Sequence, residues 1–288
     1  MSPETQRATD WLKQQGVYPL NLQRLSGHTN HVFLVQQPGA ADTVLRVANH
    51  KLDDSLCPLA HQAVRVVDIH RDVAVLGLAP ELLGHDTEQG IMWLAYAGQP
   101  YAVDATNMRA IRRMLDRLHN SGLYWGEREQ VGDGTGMAFL KQLINTPEES
   151  GVFSAEAEPL SQQALQLYET GLRRGYADYP LVPVHSDLNP GNCLYNAERG
   201  RWSLVDWDFA GMRVAEWDYA SLIVEHDWTL EQGRAFVPRH INTADLAWFC
   251  AVFALLSYDW HQQRGSAENI RLEKQRVLQY WLDEAQKQ

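Results

Sequence analysis

Cysteine is scarce in this chain of 288 residues: Cys57, Cys193 and Cys250 stand far apart, odd in number and without a paired spacing. That rules against a disulfide framework and a thiolate metal cage, and it fits a reducing compartment. Positive charge is short as well. With 25 Lys and Arg against 36 Asp and Glu the formal net charge is -11, which argues against a nucleic-acid binder, because phosphate backbones demand a basic face. An acidic surplus attracts cations, so a positively charged small molecule suits the chain better than an anionic one. Long hydrophobic runs are missing too. The most apolar stretch, residues 246–256, falls well short of the about 20 residues needed to cross a bilayer, so no membrane partner is expected. Residues 1–10 are polar and lack the apolar stretch of a signal peptide, and the expected location is cytoplasmic. There is no internal repeat, and nothing from which a protein partner can be inferred. What is present is an ordinary globular composition, 45% hydrophobic and 21% charged, in a chain long enough to bury a core.

The first third reads as strands and turns around one helix. Residues 21–35 carry alternating apolar positions (Leu22, Val32, Phe33, Val35) about a polar turn, Ser26-Gly27-His28-Thr29-Asn30. Residues 36–42, with Pro38 and Gly39, make a hairpin connection to a strand at 43–48. Val64, Val67, Val73, Val75 and Leu76 lie at helical spacing over 59–76, a helix that Gly77 and Pro80 end. Residues 91–96 form a short apolar strand broken by Gly98-Gln99-Pro100. Beyond it the periodicity predicts helices over 108–118, 161–173, 217–228 and 245–261, with short strands at 181–184 and 202–205. The shift in composition near 97–101 divides the chain into a mixed-sheet domain, 1–96, and a helical domain, 97–288. A cleft between two such domains is a natural place for a small molecule.

Polar groups concentrate in Val184-His185-Ser186-Asp187-Leu188-Asn189-Pro190-Gly191-Asn192-Cys193-Leu194, and Leu204-Val205-Asp206-Trp207-Asp208 follows. Apolar strands that end in carboxylates are odd for packing alone, because a buried ionised carboxylate is costly without a partner. Together Asp187, Asn192 and Asp206 supply oxygen ligands and a base. Magnesium takes oxygen ligands and is held by few carboxylates plus substrate phosphates. The chemistry this suggests is phosphoryl transfer, with one carboxylate orienting a hydroxyl while an Asn and another Asp hold metal.

His185-x-Asp187-x-x-x-x-Asn192 followed by Asp206 resembles the catalytic loop and metal-binding aspartate of protein-kinase-like enzymes. The wording His-Ser-Asp-Leu-Asn-Pro-Gly-Asn, with Val-Asp-Trp-Asp-Phe-Ala-Gly after it, is closer to the aminoglycoside phosphotransferase and choline kinase superfamily, near its choline- and thiamine-kinase-like members. The 25–30 turn resembles their phosphate-covering turn, Val44-Leu45-Arg46-Val47 their third strand, and Leu118-His119 the end of the first helix after the hinge. The resemblance implies an α+β, two-lobed protein-kinase-like fold, with a small antiparallel-sheet N-lobe and a larger, mostly helical C-lobe. It implies ATP and Mg2+, with Asp187 orienting the acceptor hydroxyl, His185 bracing the loop, and Asn192 and Asp206 as metal ligands. Asp208 is a further acidic candidate, as ligand or as brace. Arg46 is implied to reach the nucleotide phosphates, Ser26, Gly27, Thr29 and Asn30 to cover them, and the 91–96 strand, with Trp93 and Ala95, to supply the adenine hinge.

Two departures stand out. Most relatives have Gly or Asn where this chain has Ser186, and the 59–76 helix lacks the glutamate expected to pair with the third-strand cation; Gln62, Asp68 and Asp72 are the substitutes. His119 is read as a helix C-terminal histidine that meets the dipole. The aromatic residues of the last two predicted helices are mostly core. Glu225, seven residues after Asp218, matches a substrate-contacting acid of choline kinases, with Trp228 and the Trp248 helix as walls for a cation. The expected activity is transfer of the ATP γ-phosphate to a hydroxyl of a cationic alcohol, thiamine- or choline-like. An aminoglycoside or sugar-hydroxyl kinase is one alternative. A catalytically inactive nucleotide-binding regulatory protein is the other.

Overall fold

A computed structural model of the chain describes residues 2–25, 30–49, 63–126, 134–145 and 160–288. Along it run α1 (Pro3–Gln14), β1 (Asn21–Arg24), β2 (Asn30–Gln36), β3 (Thr43–Ala48), α2 (Ala63–Val75), β4 (Leu82–Asp86), β5 (Ile91–Ala95) and β6 (Gln99–Pro100). Then come α3 (Met108–His119), α4 (Met137–Asn145), α5 (Leu160–Arg174), β7 (Val182–Val184), β8 (Cys193–Asn196), β9 (Arg201–Leu204) and β10 (Gly211–Arg213). The chain closes with α6 (Glu216–Glu225), α7 (Leu230–Phe236), α8 (Thr243–Gln263) and α9 (Glu268–Gln286). A sheet-bearing first part and a mostly helical remainder are what the sequence predicts. The division by contacts is less simple than 1–96 and 97–288: the first compact unit holds residues 1–101 together with 191–209, and the second holds 102–190 and 210–288.

The first unit is built on an antiparallel sheet in the order β1-β2-β3-β5-β4. Strand alternation gives the sheet two apolar faces. Phe33, Val35, Leu45, Val47 and Ile91 meet Ala8, Trp11 and Leu12 of α1 on one face. Val44, Met92 and Leu94 meet Val66 and Val67 of α2 on the other. Helix α1 is not among the elements predicted from the sequence, because only three of its side chains are buried. The period of two puts Arg46, opposite Met92 in the β3–β5 register, on the α2 face. A second small sheet, β6-β8-β9, belongs to the same unit. Gly98, just before β6, has φ +106°, and a Cβ there would run into the backbone of Tyr195 and Asn196. Only glycine lets the chain lie this close to β8.

The second unit packs around α8, which is buried on almost every side from Asp245 to Tyr258. A helix apolar all round is an internal one. Trp248 donates its indole N–H to the Leu167 carbonyl at 2.9 Å, and the Tyr176 ring lies 4.4 Å from it. Helix α9 is likewise not among the elements predicted from the sequence, although Val277, Leu278, Trp281 and Leu282 form a buried stripe. Among the described residues no helix is long and apolar enough to cross a membrane.

His70 fixes α2 to the loop that follows it. Its Nε2 lies 2.8 Å from the Pro80 carbonyl, so the ring carries its proton there. Burial, opposed by that bond and aided by the charge of Arg46, pushes its pKa from 6.5 down to about 4. The unfolded chain therefore binds a proton that the folded one refuses over this window. Stability is full above pH 6.5 and is lost as the pH falls from 6.5 toward about 4. His70→Gln keeps a donor for Pro80 and removes the titration, so the acid loss in urea unfolding is predicted to shrink by roughly 2–3 kcal/mol. Identical losses in both proteins would exclude His70 as its source.

Candidate active site

In the first unit the β8–β9 hairpin sets the geometry. Cys193 pairs with Leu204, and the Val205 N–H donates to the Asn192 carbonyl at 3.1 Å, so Asn192 and Asp206 flank the same end of the hairpin. Asp206 then turns the chain with φ +62°, a left-handed conformation that Asp tolerates better than most residues. A single helical turn, Trp207–Phe209, follows, and the buried Trp207 indole anchors it on the Leu204 carbonyl at 3.1 Å. This turn aims Asp208 inward. Its fully buried carboxylate accepts from Arg46 Nη2 on both oxygens and from Asn30 Nδ2 at 2.9 Å.

Arg46 has more donors than these contacts use. Its Nη2 also lies 3.9 Å from Asp206 Oδ1. Among the described residues Nη1 faces only the Met92 sulfur at 3.8 Å, a weak acceptor, and the buried Nε–H has no partner. A guanidinium carries five N–H groups in a fork that matches phosphate. Uncommitted donors on a buried cation are the chemistry expected of an anion site.

In the second unit the chain leaves β7 and enters a loop held from behind by α6. Asp218, fully buried, accepts from the backbone N–H of His185 at 3.0 and 3.1 Å and of Ser186 at 2.8 Å. The His119 Nε2 lies 3.0 Å from the same carboxylate. One helical turn on, Ser221 Oγ accepts from Leu188 N–H at 2.8 Å. His185 is fully buried and its Nδ1 accepts from Asp187 N–H at 3.3 Å. Asp187 is half-buried, and Asn189 Nδ2 donates to its Oδ1 at 3.0 Å. The loop thus presents one carboxylate from a backbone fixed by buried partners.

Several expected residues find other places. Ser26, Gly27 and Thr29, like Gln62, lie outside the described residues, whereas Asn30 reaches Asp208. Trp93 stands on the sheet face opposite Arg46. Its indole donates to Thr43 Oγ1 at 2.8 Å and packs edge-on against Trp11, so it turns away from the face that carries the cation. Ala95 ends β5 and spends its N–H on the Glu81 carbonyl at 2.9 Å. Asp68 is exposed and pairs with Arg71. Glu225 holds no open site: Ser257 donates to one oxygen at 2.8 Å, and Lys274 of α9 pairs with the other at 2.7 Å. Trp228 has left the helix, packs edge-on against Phe236, and is 9% exposed. Trp248 is core. The walls imagined for a cation are packing residues.

Asp218, Ser221 and Asn189 hold the loop without being singled out by the sequence, and His119, the last residue of α3, lies against Asp218. A signal existed: Asp218 and Ser221 stand three apart on a helix whose other buried residues are apolar, and buried polar groups have partners.

A metal fits the first unit. Asn192 and Asp206 offer oxygen donors, which suit a hard cation. Among the described residues no three His, Cys, Asp or Glu side chains converge, but magnesium, which keeps waters and takes phosphate oxygens, needs no such cage.

Ser186 has φ +70°, and among the described residues its buried hydroxyl has no hydrogen-bond partner. Ser186→Gly relieves both, against the extra chain entropy of glycine, and is predicted to stabilise by about 1–2 kcal/mol. Thermal unfolding measures it; a lowered melting temperature would show the hydroxyl is engaged.

The sequence profile of APH, the phosphotransferase enzyme family, matches residues 21–253. A curated relative, the protein LicA homolog of Mycoplasma capricolum, is 25% identical over 158 residues, 55% of this chain and 60% of that protein. The chain thus spans less than two thirds of that relative's length. Among solved structures, choline kinase LicA from Streptococcus pneumoniae superposes with a TM-score of 0.75 at 17% identity, over 98% of this chain and 100% of that one. A choline/ethanolamine kinase family protein from Mesorhizobium loti gives 0.67 at 20% identity, over 99% and 100%. The GDP complex of aminoglycoside 2'-phosphotransferase-IIIa gives 0.66 at 16%, over 98% and 99%. The fold is therefore protein-kinase-like, and the chain, matched over most of its length, belongs to the phosphotransferase enzyme family.

Proposed function

We propose that the chain is an ATP-dependent kinase that phosphorylates the hydroxyl of a small molecule. The observation that carries the reading is the cluster of Arg46, Asn192 and Asp206: a buried cation with uncommitted donors beside an oxygen-only ligand pair. Arg46 binds and orients nucleotide phosphate through Nε and Nη1. Asn192 and Asp206 hold magnesium, which when bound neutralises charge on the phosphates. Asp187 orients the acceptor hydroxyl. The acceptor oxygen bonds to the γ-phosphorus as the bond to the β–γ bridging oxygen breaks, and the hydroxyl proton passes to the Asp187 carboxylate. The products are ADP and a phosphate ester. His185, Asn189 and Asp218 act only by holding Asp187 in place.

The acceptor we infer is a cationic alcohol of the choline or thiamine kind. The net charge of -11 favours it, as do relatives whose names identify choline and ethanolamine kinases. Glu225 has no part in it, because Lys274 already neutralises that carboxylate. An aminoglycoside is the second reading, favoured by the aminoglycoside phosphotransferase among the structural neighbours. Turnover of ATP with magnesium over a panel of choline, thiamine, an aminoglycoside and a neutral sugar separates them. Choline or thiamine is expected to give the highest kcat/KM. A neutral sugar as the best acceptor would overturn the cation reading, an aminoglycoside, itself a polycation, would overturn the choline- or thiamine-like one, and no turnover with any would overturn the kinase reading.

Two variants test the roles. Asp206→Ala is predicted to abolish turnover in a protein that still folds, and unchanged activity would remove it from the metal site. Asp187→Asn is predicted to lower kcat by about 100-fold or more with little change in the KM for ATP. A normal kcat would place the base elsewhere.

A further inference from the structure

We propose that Asp208 is the positioning residue for Arg46, the buried carboxylate that holds the β3 guanidinium in the orientation that meets nucleotide phosphate. The inference rests on the reading of Arg46 as the phosphate-binding cation. In many kinases a helix glutamate pairs with the strand cation. Here Arg46 makes its ion pairs with Asp208 and, at 3.9 Å, with Asp206. None comes from α2. On the face toward the sheet α2 offers Val66 and Val67, and its His70 is kept neutral partly by the charge of Arg46. The acid that the helix lacks is supplied from the turn after β9.

The geometry separates Asp208 from Asp206. The Asp208 side chain is fully buried, whereas that of Asp206 is 28% exposed. Both oxygens of Asp208 are occupied, by Arg46 and by Asn30. A metal ion would have to displace a charged partner and an amide from a fully desolvated group to use them. A buried carboxylate is stable only with such partners, and the dependence is mutual. Once Nη2 is tied down, the free rotation of a long side chain is lost, and Nε and Nη1 remain as directed donors. Asn30 opens β2 and Asp208 lies two residues past Asp206, so this one carboxylate also links β2 to the segment that carries the proposed metal ligand.

Asp208→Asn keeps the shape and removes the charge. In folded protein it is expected to raise the KM for ATP about 10- to 100-fold, with half-saturating magnesium and the acceptor KM changed by less than about twofold. In an Arg46→Gln background the same substitution is expected to add nothing, because it acts only through Arg46. An unchanged ATP constant, additive effects in the double variant, or a rise in half-saturating magnesium like that of Asp206→Asn would each overturn the proposal. If Asp208→Asn does not fold, Asn30→Ala goes through the same cycle. Its effect on the ATP constant must vanish with Arg46→Gln, and persistence of that effect counts against the proposal. The underlying reading fails separately, through an Arg46→Gln enzyme whose ATP constant is normal.

Discussion

The carboxylate of Asp218 is the interaction on which the reactive loop depends. A fully buried carboxylate is costly unless its oxygens are satisfied, and Asp218 meets that cost with two backbone N–H groups and an imidazole. Those backbone groups belong to His185 and Ser186, so the loop cannot shift without stranding a charge. The left-handed turn at Ser186 is strained, and persists because the surroundings over-determine it. The side chain that emerges next is Asp187. The first unit repeats the device in a different form. Asp208, also fully buried, fixes a side chain rather than a backbone, and the group it fixes is Arg46.

Both anchors explain why so few residues do the proposed chemistry. Phosphoryl transfer asks a protein mainly to position groups and to stabilise charge. Asn189 and His185 steady Asp187; the hairpin bond between Val205 and Asn192 keeps Asn192 near Asp206. A nucleotide phosphate needs a cation whose donors are not all spent on the protein, and among the described residues Arg46 meets that condition.

The reactive loop was legible in the sequence because its polar run interrupts apolar strands, and such a run has no packing reason to exist. Arg46 was legible through its strand, and the strand's alternation also dictates that Trp93 must face away from it, a consequence that position in the sequence alone does not announce. The ion pair of Glu225 was hidden for a related reason. Its partner Lys274 comes 49 residues later, and no local spacing reveals a pair that only tertiary packing creates. Trp228 looked like the end of a helix, but Asp227, with φ +53°, turns the chain out of it. Helix α1 was hidden by its short apolar stripe. The left-handed backbone at Ser186, φ +70°, is set by tertiary contacts that no local spacing announces.

The central claim is that nucleotide phosphate and metal meet at Arg46, Asn192 and Asp206. A crystal structure of the protein with magnesium and a non-hydrolysable ATP analogue tests it most directly. The account predicts a metal ion about 2.1 Å from an oxygen of Asn192 and one of Asp206, with phosphate oxygens in hydrogen-bond reach of Arg46 Nε or Nη1 and the Arg46–Asp208 pair intact. A nucleotide bound without these residues, or a metal that Asp206 does not touch, would contradict it.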